Sequence, residues 1–255
     1  MNYTPQELIA VSASRLLADR KVVFAGVGMP LLASVLAKSL HAPHLTIVLE
    51  GGIIGPKIKP GELPISTNEM RAARGAMMLT DIVDIFLYAQ RGFFDYGFLG
   101  TAQIDKFGNI NTTVIGDFKQ PKVRLPGSGG ANDIISSCRE IFVVTTHQAR
   151  RFVEEVDFVT SPGYLSGGNS RKESGLIFGR VSKVVTDLGI LGFDFERGHM
   201  ILERLQHGVA LDQVQEATGF ELPVADQLEH AARPTAKELE VLRTLDPTGA
   251  MLGAP

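Results

Sequence analysis

Residues 21–52 read KVVFAGVGMPLLASVLAKSLHAPHLTIVLEGG. Residues 21–26 are a short apolar run that ends in glycine, the pattern of a buried strand. Residues 30–40 place Leu31, Leu32, Val35 and Leu36 on one side of a helix. Residues 44–50 return to strand, with Leu45, Thr46, Ile47, Val48 and Leu49 apolar or β-branched and Glu50 closing the run. Strand, helix and strand within about 30 residues make a βαβ unit, which requires a parallel sheet covered by helices.

Working outward, Thr4-Pro5-Gln6-Glu7 is a capping box with proline at the first helical position, so a helix opens the chain. Residues 81–90 read as an apolar helix, 96–104 as a strand, 105–109 as a turn and 111–115 as another strand. Residues 127–130 form a glycine-rich loop before a short helix over 132–137. Strands are expected at 141–146, 181–186 and 200–205, and helices at 211–218 and 235–245. The expected class is α/β, an open, mostly parallel sheet with flanking helices. No repeat and no linker interrupts residues 1–246, which read as a single domain, with 247–255 a frayed, Pro/Gly-rich tail.

The composition narrows the function. The chain has 255 residues, 44% apolar and 21% charged, with a formal net charge of -3, the profile of an ordinary globular protein. A single cysteine, Cys138, excludes an intrachain disulfide framework and a multi-cysteine metal site. It points to a reducing, cytoplasmic setting. The slightly acidic balance and the absence of a long basic run argue against nucleic acid. No apolar stretch reaches the roughly 18–20 residues that span a bilayer, and the first residues do not have a signal-peptide pattern, so no membrane partner is expected. The six histidines show no ligand spacing; no metal is expected, and surface or cap positions are.

Four segments could carry chemistry. Glu50, at a strand end and followed by Gly51 and Gly52, would sit where parallel sheets bind ligands. Read alone, it could equally cap the next turn or pair with an arginine. The loop Gly127-Ser128-Gly129-Gly130-Ala131 opens a helix and offers backbone N–H groups to a phosphate or an oxyanion; a loop that simply needs positive φ is the plain alternative. The stretch 100–111 brings Gln103, Asn109 and Asn111 into one neighbourhood, where amides could bind a carboxylate or thioester oxygen, or serve a turn. Residues 157–164, Asp-Phe-Val-Thr-Ser-Pro-Gly-Tyr, could line a pocket or merely end a strand.

In this order, together with 184–194, these segments resemble the β (B) subunit of family I coenzyme A transferases, of the glutaconate CoA-transferase kind, over nearly the whole chain. The resemblance implies the CoA-transferase (NagB/RpiA-like) fold and a homologous α subunit, commonly in an α2β2 assembly. It implies Glu50, on a Glu-x-Gly motif completed by Gly52, as the nucleophile. Gly129, Gly130 and Ala131 become oxyanion and CoA-thioester donors, with Gly51, Gly52, Gln103, Asn109 and Asn111 as the substrate pocket. CoA and acyl-CoA enter as substrates, the acceptor is a carboxylic and expectedly dicarboxylic acid, and no permanently bound cofactor is implied. Gly51 departs from the asparagine or serine of other members, and its missing side chain is expected to leave room for a bulkier acyl group. Members that hydrolyse or decarboxylate acyl-CoA are the alternative on the same fold; they lack the glutamate. A non-catalytic supporting subunit is a further alternative. Lys57, Lys59, Arg71, Arg74, Lys119, Lys122 and Arg124 are candidates for CoA phosphates, against the plain reading of a solvated face.

Overall fold

The computed structural model describes residues 2–252. In chain order its elements are α1 (Pro5–Ser14), β1 (Val22–Phe24), α2 (Met29–Leu40), β2 (Thr46–Leu49), β3 (Ile53–Ile54), β4 (Met78–Leu79), α3 (Ile82–Gln90), β5 (Tyr96–Gly100), β6 (Gln103–Ile104), β7 (Ile110–Asn111), β8 (Val114–Gly116), β9 (Pro121–Arg124), α4 (Ala131–Ser137), β10 (Glu140–Val144), α5 (Ser170–Glu173), β11 (Val181–Val185), β12 (Gly189–Asp194), β13 (His199–Leu205), α6 (Leu211–Glu216), β14 (Val224–His230) and α7 (Ala236–Leu245). The chain divides into two compact units. One runs to Phe98 and takes in Ser137–Arg139 and everything from Arg233 onward; the other comprises Leu99–Ser136 and Glu140–Ala232. The second unit falls between Phe98 and Arg233 in the chain, interrupted by Ser137–Arg139 of the first.

In the first unit the strands lie in the order β5-β1-β2-β3-β4. The βαβ reading holds: β1 pairs in parallel with β2, Val23 opposite Ile47, and with β5, Phe24 opposite Gly97. Strands β3 and β4 add antiparallel to the β2 edge. Helix α2 buries Leu31, Leu32 and Leu36 completely, as β1 and β2 do Phe24, Ile47 and Leu49. Burying each such side chain contributes roughly 2 kcal/mol relative to exposure. The capping box on α1 forms as expected, and Thr235 with Glu238 repeats it on α7. Each box glutamate also takes a guanidinium from the other helix. Arg15 donates to both oxygens of Glu238 at 2.7 Å, and Arg243 to those of Glu7 at 2.7 and 3.1 Å. Burial would raise the Glu238 carboxyl, but Arg15 and Thr235 outweigh it and hold it down at about 2. Of the expected tail, 253–255 lie outside the described residues; before them Asp246 Oδ2 accepts from Met251 N at 2.9 Å.

In the second unit the order is β14-β13-β12-β11-β10, with β10 and β11 parallel, β11, β12 and β13 antiparallel, and β13 and β14 parallel. Two hairpins, β6–β7 and β8–β9, stand as separate two-stranded sheets. Two expected strands are interrupted, each by a side chain that takes over backbone pairing. Thr101 Oγ1 donates to Gln103 O, parting β5 from β6. Asn111 Oδ1 accepts from Thr113 N and Val114 N at 2.9 and 3.3 Å, parting β7 from β8. Arg171 is buried without a carboxylate. Its guanidinium instead donates to five carbonyls, those of Ile135, Pro162, Gly163, Phe178 and Gly179, at 2.7–3.0 Å. His147 departs from the surface positions expected of histidines. It is buried, stacks on Phe152 at 3.9 Å, and its ring nitrogens meet Thr186 Oγ1 and Thr218 Oγ1 at 3.1 and 2.9 Å.

These buried polar groups set two expectations for stability. Arg171→Ala strands five carbonyls and is expected to lower the unfolding free energy by about 3 kcal/mol or more in urea titrations; Arg171→Lys, with fewer donors, recovers less than half of that. Burial pushes the Asp105 carboxyl up to about 6 and the His147 imidazole down to about 4. As pH falls through 6 toward 4, unfolded His147 gains a proton that the folded state does not hold, so its contribution to stability is lost toward acid. Asp105 acts oppositely: between about 4 and 6 the folded state keeps a proton that the unfolded state sheds, so its contribution is lost as pH rises. Asp105→Asn leaves only the histidine effect. Its unfolding free energy should climb with pH more steeply than that of the wild type, by up to about 1.4 kcal/mol per pH unit. Parallel slopes for the two proteins would contradict this.

Candidate functional site

Glu50 follows β2 directly and is half-buried at the start of a turn. Gly52 N donates back to Leu49 O at 3.1 Å. Gly52 has φ +96, and a Cβ there would strike Thr80 O. Its own carbonyl accepts from Thr80 N at 2.8 Å, so the residue must be glycine on two counts, backbone conformation and close approach. Neither plain reading of Glu50 is seen: among the described residues its carboxylate has no hydrogen bond and no ion pair.

Gly51 behaves differently from its expectation. A Cβ at this position would run into Asn68 Oδ1 and Thr67 O. The space is therefore filled by the 67–68 turn, which corrects the reading that glycine leaves room there for a bulkier acyl group. Sequence reasoning did not reach Thr67 or Asn68, because nothing local to either segment signals that they meet.

The 127–131 loop lies in the second unit. Gly127 and Gly129 have φ +96 and +48 with nothing near their missing side chains. Gly127 is tied to Thr112 through both N–H and C=O, each at 2.8 Å. Ala131 N is spent on Ser128 O at 2.9 Å, so of the three expected donors it is already engaged. The N–H groups of Gly129 and Gly130 have no partner among the described residues.

Gln103, Asn109 and Asn111 do come together in the second unit, but facing inward. Asn109 Nδ2 donates to Asp105 Oδ2 and Leu165 O, both at 2.8 Å, while its Oδ1 accepts from Gly163 N and Leu165 N. Asn111 Nδ2 donates to Gln103 Oε1 and Val114 O, both at 2.6 Å, and its Oδ1 accepts from the 113–114 backbone. Gln103 Nε2 donates to Asp157 Oδ2 at 3.1 Å. These amides are buried and engaged, which leaves the two asparagines nothing to offer a ligand. In the 157–164 segment, exposed Asp157 accepts from Gln103 Nε2 at the surface of this network, and buried Tyr164 donates its hydroxyl to Val181 O at 2.9 Å.

Beside Gly52, the apolar helix expected over 81–90 forms as α3 but buries only Ile85 and Ala89. Ile82, Val83 and Leu87 are exposed, as are Met77, Met78 and Leu79 just before it. These exposed apolar residues flank Thr80, the residue whose N–H holds Gly52 O. Of the basic residues in this unit, Arg71 pairs with Glu69, and Arg74 with Glu62 at 2.8 Å. Among the described residues, no cluster of three or more His, Cys, Asp or Glu side chains is placed to hold a metal ion. No described helix is long and apolar enough to cross a membrane.

Comparison with known proteins extends this description. A sequence profile described as coenzyme A transferase matches residues 6–217. The B subunit of the 3-oxoadipate CoA-transferase of Pseudomonas knackmussii is 41% identical over 245 residues, which is 96% of this chain and 94% of that protein. The B subunit of the glutaconate CoA-transferase of Acidaminococcus fermentans is 35% identical over 100% of this chain and 97% of its own length. The crystal structure of glutaconate coenzyme A-transferase from that organism superposes with a TM-score of 0.92 at 32% identity, covering 100% of this chain and 99% of that one. That of the decarboxylase AibA/AibB superposes with a TM-score of 0.81 at 28% identity, covering 99% and 100%.

The tip that carries Glu50 can be tested without activity. Gly52→Ala combines a left-handed backbone with a collision against Thr80 O, and should lower stability by about 2 kcal/mol or more in thermal or urea unfolding. A neutral Gly52→Ala would show that the tip is not held as described.

Proposed function

This chain belongs to the coenzyme A transferase family, and we propose that it is the β (B) subunit of an enzyme that moves CoA from an acyl-CoA to a dicarboxylic acid through a thioester on Glu50. The observation that supports this most directly is a carboxylate, at the carboxyl edge of a parallel strand, that has no hydrogen-bond or ion-pair partner among the described residues. Such a group is free to act as a nucleophile. The attacking electron pair belongs to a carboxylate oxygen, so no general base has to be supplied for the attack.

The chemistry runs in balanced steps. One Glu50 carboxylate oxygen attacks the thioester carbonyl, and CoA thiolate leaves from the tetrahedral adduct, giving an acyl-glutamyl anhydride. The thiolate then attacks the glutamyl carbonyl and expels the acyl group as its free acid, leaving Glu50 as a CoA thioester. The acceptor carboxylate attacks that thioester, thiolate leaves again, and a new anhydride forms. Thiolate attack on its acyl carbonyl releases the new acyl-CoA and restores Glu50. Thioester energy is kept throughout, so no nucleoside triphosphate is consumed. Each addition creates an oxyanion. Unpaired backbone N–H groups, of the kind that Gly129 and Gly130 offer, are the usual donors to such an oxyanion, each worth about 3 kcal/mol. Anhydrides hydrolyse, so the site must be dry during turnover.

A dry site implies a cover. The exposed apolar residues Met77, Met78 and Leu79 and those of α3 lie on either side of Thr80, which is bonded to the Glu50 turn. Exposed apolar surfaces of this kind mark protein–protein contacts. The relatives are named as B subunits, which supports a homologous α subunit as the occupant; the reading is completed by an α2β2 assembly in the cytoplasm. Their named substrates, glutaconate and 3-oxoadipate, support a dicarboxylic acceptor. A second reading, hydrolysis or decarboxylation of acyl-CoA, draws on the likeness to AibA/AibB; it requires product formation without any acceptor acid.

In the co-purified pair, incubation with acyl-CoA alone should add CoA to the peptide containing Glu50, detected by mass. Glu50→Gln should lower kcat on the order of 10³-fold or more. An unlabelled Glu50 in an enzyme that turns over, or CoA release independent of acceptor, would overturn the transfer mechanism. Leu79→Asp with Val83→Asp should leave this chain folded by circular dichroism but prevent its co-purification with the α subunit.

A further inference from the structure

The β8–β9 hairpin carries an arrangement that the transfer chemistry does not use. Lys119, Lys122 and Arg124 fall within six residues and are exposed. Among the described residues none of them has a carboxylate partner, whereas many other cations of the chain do. The one acid in this stretch, Asp117, is turned to the backbone, its Oδ1 accepting from Lys119 N and Gln120 N at 2.8 and 2.9 Å. Two of the cations are laid down on the hairpin. The stem of Lys122 crosses Gly116, where a Cβ would come within 3.2 Å of Lys122 Cγ. Arg124 donates to Phe118 O at 3.0 Å with its guanidinium 4.9 Å from the Phe118 ring. Phe118, half exposed, also stacks on Phe158 with centroids 5.4 Å apart. Unpaired, pre-positioned cations beside an accessible aromatic pair suit a phosphorylated nucleotide: the cations take phosphate oxygens and the rings take a base.

The position of the hairpin gives it a purpose. Leu125 N donates to Thr113 O, and Gly127 N to Thr112 O, at 2.9 and 2.8 Å. The ribbon therefore runs without a break into the loop whose Gly129 and Gly130 N–H groups are free. From these observations we infer that the β8–β9 hairpin, through Lys119, Lys122, Arg124 and the Phe118–Phe158 pair, binds the 3′-phospho-ADP end of the CoA thioester. This rests on the reading of CoA as substrate. A long, flexible substrate is thus held at its charged end on the same ribbon that leads to the amides proposed for its thioester. Binding energy from that remote end is then available to the uphill anhydride step.

The experiment uses the two-subunit enzyme with Lys119→Ala/Lys122→Ala and, separately, Arg124→Gln. Turnover is compared between acyl-CoA and the matching acyl-pantetheine thioester, which lacks the nucleotide. The double variant should raise KM for acyl-CoA about tenfold while leaving acyl-pantetheine kinetics unchanged. Added salt should narrow the gap between wild type and variant on acyl-CoA. Calorimetric titration with adenosine 3′,5′-bisphosphate should show binding to the wild type and about tenfold weaker binding to the variants. Equal effects on both thioesters, no effect on either, or loss of co-purification with the α subunit would each overturn the assignment. The titration needs no turnover. If the bisphosphate result holds while Glu50 stays unlabelled by acyl-CoA, the nucleotide site stands and the transfer mechanism falls; labelling without the bisphosphate effect decides the reverse.

Discussion

Val22, Val23 and Phe24 lie opposite Thr46, Ile47 and Val48 in two strands that run the same way. A parallel pair needs a crossover, and α2 supplies it with a face of fully buried leucines. The consequence is directional: both strands end at one edge, and whatever residue follows β2 emerges there. Glu50 occupies that place. Its turn is held by two contacts that tolerate no side chain, Gly52 against Thr80 and Gly51 against the 67–68 turn. The carboxylate keeps its freedom because the backbone beneath it has none.

The second unit follows another logic. Its polar side chains are spent on its own backbone: Asn109 and Asn111 close the turns around β6 and β7, and Arg171 gathers five carbonyls from three separate stretches of chain. Groups that look like ligand-binding amides are interior braces. Among the described residues, the N–H groups of Gly129 and Gly130 have no partner and the cations of the β8–β9 hairpin no carboxylate. A rigid, internally satisfied scaffold that presents a few unsatisfied groups is the usual way that proteins position chemistry at low reorganisation cost.

Much of this was legible in the sequence, for identifiable reasons. The βαβ unit and both terminal helices follow from hydrophobic period and capping boxes, which are local. Glu50 stood out because a charge after five apolar or β-branched residues must lie at a strand end. Strand β12 was not legible: Gly189 and Gly192 weaken its pattern, and at Gly189 the Arg204 carbonyl of β13 comes too close for a Cβ. Strand β14, Val224–His230, is largely polar and scarcely buried, so no alternation betrays it. The burial of Gln103, Asn109, Asn111 and His147 was hidden because an amide or imidazole has the same composition signal whether it faces water or a neighbour. Helix α3 was legible in extent, but apolar content alone does not say how much of it is buried, and only Ile85 and Ala89 are.

The discontinuity of the first unit bears on how the chain is made. A ribosome delivers residues 99–232 complete before it delivers Arg243, the partner that Glu7 in the first helix requires. The inserted unit can therefore mature while the amino-terminal segment is still waiting for its last helix. During that interval α1 has its own cap and its packing against α2 but lacks the cross-strapping arginine. Stalled or prematurely terminated synthesis would leave this half, Glu50 included, without its final clasp, and so exposed to cellular proteolysis rather than released as an idle but intact subunit.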